Sequence, residues 1–177
     1  MRTIVVPDDL PAMEALLAER ARRGADVYDY EIDGVLRMSP APRLTHANWQ
    51  FRIGNALAAA LATDRFVLGG PANLGRKGNY VVPDVVVLRT ADAPDPENDV
   101  WVAQAAIAVE VLSPGEDEAA KIGDYRRVIG AGDLTLDELW YVDGAAADIR
   151  VYDPSSGVPM RASALVSLDE IKAVAFR

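Results

Sequence analysis

Apolar and polar positions along the chain switch between a helical and a strand period, and the switches lay out its elements. Leu10 to about Arg23 carries apolar Met13, Leu16 and Leu17 on one side. Asp8-Asp9 before it and Gly24 after it supply a cap and a stop, so the stretch predicts a helix. Val27 to Ile32 and Val35 to Met38 flank Asp33-Gly34, the makings of a hairpin. Ser39-Pro40-Ala41-Pro42 reads as a loop. Trp49, Ile53, Leu57, Ala60 and Leu61 recur at three- and four-residue steps, predicting a long helix from His46 to Thr63 capped by Thr45. Phe66 to Leu68 predicts a short strand, and Asn73 to Asn79 a turn-rich, basic loop.

Two apolar β-type runs follow. Tyr80 to Leu88, YVVPDVVVL, reads as one strand containing Asp84, and Thr90 to Asp99, with Pro94 and Pro96, as a surface connection. The run Ala106 to Leu112 breaks at Ser113-Pro114-Gly115 and re-emerges as a helix from about Asp117 to Ile129. Leu139 to Val142 and Ile149 to Tyr152 predict a final hairpin around Asp143-Gly144, and Leu168 to Val174 a short helix. No repeat, low-complexity block or long linker interrupts the pattern. The expectation is α/β (α+β), one domain over residues 1–177, with a central mixed β-sheet flanked by helices.

The two apolar runs each carry one ionisable residue, Asp84 and Glu110, 26 positions apart. A carboxylate among Val, Ile and Ala is costly to bury unless a cation or donor meets it. On neighbouring strands the pair would bind a hard divalent cation, and Mg²⁺ accepts one or two carboxylates plus waters and phosphate oxygens. Mn²⁺ is the alternative ion. Lys121 on the next helix completes the set, since a lysine ~4 Å from a carboxylate gains of order 4 kcal/mol at an intermediate dielectric. The same residues also fit a strand-end cap and a buried Glu110–Lys121 pair. Tyr125 shares the helical face of Lys121 and reads either as a hydrogen-bond partner of it or the substrate, or as a core tyrosine.

Asp117, four residues before Lys121, reads as a helix-start salt-bridge partner. His46 opens a helix, where substrate contact and helix-terminus bonding are both open, and no Ser or Cys is evidently placed beside it for a nucleophilic triad. Glu31 reads as a solvent-facing glutamate that could alternatively approach a metal. Trp49, Trp101 and Trp140 sit in apolar contexts and read as core.

With no cysteine and one histidine, thiolate zinc sites, disulfides and two-imidazole sites are excluded. No apolar stretch approaches the ~20 residues of a membrane helix, and the first residues lack a signal-peptide core, so a cytoplasmic protein without membrane contact is expected. The net charge of −9 speaks against a nucleic-acid binder. Its distribution softens that: Asp92 to Glu118 holds eight acids and no base, while Arg43 to Arg89 holds six bases against two acids. One region could hold a cation while the other meets phosphate.

These residues together resemble the Uma-two type restriction endonucleases, a branch of the PD-(D/E)XK nuclease superfamily. The resemblance runs through YEIDGVLRMSPAP (Tyr30 to Pro42), His46, NLGRKGNYVVPD (Asn73 to Asp84), AVEVLSPG (Ala108 to Gly115), the helix with Lys121 and Tyr125, and ELWYVD (Glu138 to Asp143). It implies a restriction-endonuclease-like core and a Mg²⁺-dependent site with Asp84 and Glu110 as metal ligands and Lys121 as the catalytic lysine. In the wider superfamily that lysine stands two residues after the second acid, a place held here by Leu112.

The leading expectation is therefore an endonuclease hydrolysing phosphodiester bonds of nucleic acid, DNA before RNA. Arg76 and Lys77 are its candidate backbone contacts, with His46 and Tyr125 also facing substrate. A non-catalytic binding or assembly protein that keeps the scaffold is the alternative, and hydrolysis of a small phosphorylated compound is a third. Proteins with this scaffold often associate, so a homo-oligomer stays open, with Trp101 and Val102 as interface candidates.

Overall fold

The computed structural model describes residues 11–23, 29–37, 43–93, 101–113 and 115–177. In chain order come helix α1 (Pro11–Arg22), strands β1 (Tyr30–Ile32) and β2 (Val35–Arg37), helix α2 (Leu44–Ala60), and strands β3 (Phe66–Gly69), β4 (Asn73–Arg76), β5 (Asn79–Val81) and β6 (Val85–Arg89). Then follow β7 (Trp101–Val102), β8 (Gln104–Val111), helix α3 (Glu118–Gly130), β9 (Thr135–Asp143), β10 (Asp148–Tyr152), β11 (Pro159–Met160) and helix α4 (Leu168–Ala175). The expected cap Asp8-Asp9, the stop Gly24, Val27, Met38, and the loop Ser39 to Pro42 lie outside the described residues.

The expected central mixed sheet has six strands in the order β11-β10-β9-β8-β6-β3. A second, five-stranded sheet, β2-β1-β5-β4-β7, stands beside it. Pro83 is where the chain passes from one to the other. Tyr80 to Leu88 is thus two strands rather than one, because proline has no N–H for a ladder and holds Val82 extended. After the corner, the Asp84 N–H donates to the Val109 carbonyl at 2.9 Å and opens the antiparallel β6/β8 ladder.

Asn73 to Asn79, expected as a loop, is a tight hairpin with Leu74 opposite Val81 and Arg76 opposite Asn79. The glycines that read as loop signals serve the hairpin instead: Gly75 and Gly78 adopt φ of 128° and 88°. Helix α2 begins two residues earlier than expected, with Arg43 at the N-cap and no side-chain cap. Thr45 therefore lies inside the helix, and Thr63 lies beyond its end. Its core stripe is Ile53, Ala56 and Leu57, whereas Ala60 is exposed. Strand β9 starts four residues before the expected Leu139, since exposed Thr135 and Asp137 alternate with buried Leu136 and Glu138 and mask the run.

Strand β8 is buried on both faces, which is why it reads as a continuous apolar run. It pairs in parallel with β9, the crossover being α3. On one face, Tyr125 and Val128 of α3 pack with Tyr30, Leu74 and Leu139. On the other, α2 and α4 bring Ile53, Leu57 and Ile171 against Val85, Ile107 and Trp140. Trp140 is fully buried as expected, whereas Trp49 and Trp101 are half-buried, packed on Phe176 and edge-on to Tyr80.

Candidate active site

The corner at Pro83 sets Asp84 at the end of the central sheet, between the N-terminal halves of α2 and α3. Asp84 is 5% exposed and Glu110 on the adjacent strand 3%. Asp84 Oδ2 accepts the Val111 backbone N–H at 2.7 Å. Its Oδ1 accepts the Gln50 side-chain amide at 2.6 Å and exchanges a 2.9 Å hydrogen bond with His46 Nε2. His46 and Gln50 sit four residues apart and continue the Ile53–Leu57 stripe toward the sheet end, so one helical face delivers both. Burial works against a charged His46, but its bond to Asp84 and the charges of Asp84, Glu116 and Glu110 outweigh it and raise its pKa.

Glu110 points to the α3 face of the sheet. Its Oε1 accepts the Tyr125 hydroxyl at 2.7 Å, and its Oε2 meets the Lys121 ammonium at 2.7 Å. Burial pushes the Glu110 carboxyl up to about 7, even against the attraction of Lys121. Burial also works against the Lys121 ammonium, but Glu110 and Glu116 more than offset it, so Lys121 is held charged. Glu116 adds a longer contact to Lys121 at 3.6 Å while its other oxygen accepts the Ser113 N–H at 3.0 Å. Tyr125 is therefore buried and bonded to Glu110, with burial and that carboxylate raising its pKa well above 10.

Asp117 and Ser113 stand differently from expectation, and Glu31 does not. Asp117 caps α3 by accepting the Ala120 N–H at 3.1 Å, and Lys121 turns to Glu110 and Glu116 instead. Glu31 sits between buried Tyr30 and Ile32 on β1, so its side chain takes the opposite face from the core they enter. Ser113 does stand beside His46: its hydroxyl is 3.2 Å from Nδ1, giving a connected Ser113–His46–Asp84 chain.

Arg76 and Lys77 are not brought to the carboxylates. They occupy the tip of the β4–β5 hairpin, where Arg76 pairs with Asp133 at 2.6 Å beyond the C-terminal end of α3. Lys121 lies near the other end of that helix, nine positions before its last residue Gly130, a separation of roughly 13–14 Å at 1.5 Å per residue. A substrate touching both would have to span the length of α3.

The donor set at the sheet end suits a hard divalent cation. A carboxylate offers about four acceptor positions. Asp84 Oδ2 and both Glu110 oxygens each accept a single donor, so oxygen lone pairs remain on both neighbouring strands. Among the described residues no group of three His, Cys, Asp or Glu side chains forms a ready cage. Mg²⁺ needs no such cage, because waters and phosphate oxygens fill most of its shell. Asp84 and Glu110 are the residues that could hold it.

Sequence reasoning missed Gln50, Ser113 and Glu116. It also missed Asp124, buried one turn after Lys121, which accepts from Tyr30 and Arg37 at 3.1 and 2.7 Å. Gln50 had a local signal, a polar residue in line with a core stripe. Ser113 and Asp124 had none, as the partners that bring them to the site, His46 for the first and Tyr30 and Arg37 for the second, are 67 and 87 or more positions away.

Among the described residues no helix is long and apolar enough to cross a membrane. No protein of curated description matches the chain. Among solved structures, a "putative nuclease" from Anabaena variabilis is similar with a TM-score of 0.64 and 13% identity, covering 83% of this chain and 90% of its own. That likeness speaks for the fold, a nuclease-type α/β core. The Uma2 family, described as "Putative restriction endonuclease", matches residues 12–174, a span that takes in the sheet-end carboxylates, their lysine and both sheets. The chain belongs to the Uma2 family.

Proposed function

We propose that the protein is a cytoplasmic, divalent-metal-dependent endonuclease that hydrolyses phosphodiester bonds, of DNA in the first place. What supports the reading most is the buried 2.7 Å Glu110–Lys121 contact beside Asp84 on the neighbouring strand. Burying two carboxylates together is costly unless positive charge joins them. In this reading Asp84 and Glu110 hold Mg²⁺ or Mn²⁺. The ion when bound would supply Lewis-acid stabilisation of the charge that develops on the phosphate.

The remaining work falls to side chains of the chain itself. Lys121, held charged by Glu110 and Glu116, orients the attacking water by hydrogen bonding and places a cation beside the phosphate. Tyr125 fixes the Glu110 rotamer through Oε1. His46, Gln50 and the Val111 N–H fix Asp84 from three directions, which limits its reorientation as charge builds. The β8–α3 turn keeps Lys121 over the sheet end, since Glu116 is tied back to Ser113.

The Ser113–His46–Asp84 chain favours a second reading, a serine nucleophile activated by His46. Substituting Ser113 separates the two. In the metal-dependent reading Ser113→Ala cleaves plasmid DNA in Mg²⁺ within about threefold of the unaltered protein, as an exposed side chain outside the reaction should. An activity loss as deep as that of a Lys121 substitution would transfer the nucleophile's role to Ser113.

A further inference from the structure

The β1–β2 hairpin brings a second cation to the rim of this site. Lys121 Nζ and the Arg37 guanidinium carbon each lie 5.8 Å from the centroid of the Tyr30 ring, so both cations stand against one aromatic side chain. Arg37 NH1 is tied to Asp124 Oδ2 at 2.7 Å, and Asp124 also takes Arg127 NH1 at 3.4 Å. One carboxylate thus faces two guanidiniums, and a positive charge is left over. The Arg37 side chain is 18% exposed, and its Nε is buried without an acceptor. A guanidinium carries several N–H donors in a fixed fork that matches phosphate oxygens. Of those of Arg37, only NH1 is tied to a carboxylate among the described residues.

We propose that Arg37, set against the same Tyr30 ring as Lys121, grips a phosphate next to the scissile one, so that the site favours a polynucleotide over a compound with a single phosphodiester. The inference rests on the endonuclease reading and assigns Arg37 a positioning role in substrate binding. It replaces Arg76 and Lys77, at the far end of α3, as the nearest backbone contact. The bond to Asp124 serves this role by holding the guanidinium in place. Tyr30 packs under both cations and sets their separation.

Each phosphate of a single strand that a protein cation neutralises adds about 0.7 to the steepness of log affinity against log salt. The test is the binding of a short fluorescein-labelled oligothymidylate in Ca²⁺, across a salt series, by the unaltered protein, Arg37→Gln and Arg37→Lys. Hydrolysis of bis(p-nitrophenyl) phosphate in Mg²⁺ is followed alongside. Asp124 keeps Tyr30 and Arg127 as partners in both variants, so the hairpin stays anchored. Arg37→Gln should bind more weakly with a slope shallower by about 0.7, and Arg37→Lys should restore the slope. A slope unmoved by Arg37→Gln, or not restored by Arg37→Lys, would overturn the assignment. An unaltered protein that hydrolyses the small diester but does not bind the oligonucleotide would also overturn it, while leaving the phosphodiesterase chemistry standing. Oligonucleotide binding with the expected slopes but no diester hydrolysis would uphold Arg37 and count against catalysis.

Discussion

Lys121→Met is expected to lower DNA cleavage by about 10²–10³-fold, the usual loss when one charge-stabilising donor is removed from a preorganised site. Its stability should respond to metal in a way that no surface substitution would. Lys121 is the only cation in direct contact with Glu110 among the described residues, and both are buried. Breaking such a pair from one side costs about 3–5 kcal/mol when the remaining charge stays buried. The loss here falls toward the lower end, because burial already pushes Glu110 up to about 7 and the carboxyl can take a proton. Tyr125 still donates to it at 2.7 Å. In urea melts with EDTA the variant should therefore unfold earlier than the unaltered protein. Mg²⁺ should recover much of the difference, since a cation held by Asp84 and Glu110 replaces the charge that was removed. Cleavage at the unaltered rate would remove Lys121 from the mechanism.

The largest purely structural effect is expected at Gly75. Its φ of 128° is a conformation that side chains rarely adopt. An added Cβ would fall 2.4 Å from the Asn79 carbonyl oxygen and 3.0 Å from Tyr80 Cα, both backbone of the facing strand. Val128 of α3 closes the third side at 3.0 Å. Neither strand can yield without breaking the β4/β5 ladder. Backbone strain and overpacking each cost of order 1–3 kcal/mol, and together they consume a large part of a typical stability of ~5–15 kcal/mol. Gly75→Ala should lower the urea midpoint far more than Gly78→Ala, where φ is also positive but nothing lies within 4 Å. Because β5 leads directly into the Pro83 corner, the destabilised protein should also lose cleavage at temperatures where it remains folded. Equal midpoints for the two variants would contradict this packing of the hairpin.

The sheet-end carboxylates and Lys121 were legible because each is a lone ionisable residue in an apolar run or one turn into the following helix. Burial and a charged partner follow from that pattern by elementary energetics. The hairpin at Asn73 to Asn79 was not legible as one, since Gly and Asn favour loops and tight hairpin turns alike and only pairing with β1 and β7 decides between them. Pro83 was a usable signal that the run around Asp84 could not be a single central strand. The four-residue step from His46 to Gln50, in line with Ile53 and Leu57, was another. The contacts Ser113–His46 and Arg37–Asp124 join distant parts of the chain, and no local pattern encodes them. Arg76 and Lys77 misled because basic charge in a glycine-rich stretch says nothing about which end of a helix it will face.

The most direct measurement is cleavage of supercoiled plasmid and single-stranded DNA in Mg²⁺, Mn²⁺ and EDTA by the unaltered protein and by Glu110→Gln. The substitution keeps the size of the side chain: its one oxygen can meet Lys121 while its amide N–H donates to the Tyr125 hydroxyl, and Glu116 stays beside Lys121, so the fold should survive it. Nicking that requires the metal and disappears with Glu110→Gln is the predicted result. Cleavage that persists in EDTA or in Glu110→Gln would contradict the site. An unaltered protein that cleaves neither substrate would contradict the enzyme and leave a nuclease scaffold kept for binding.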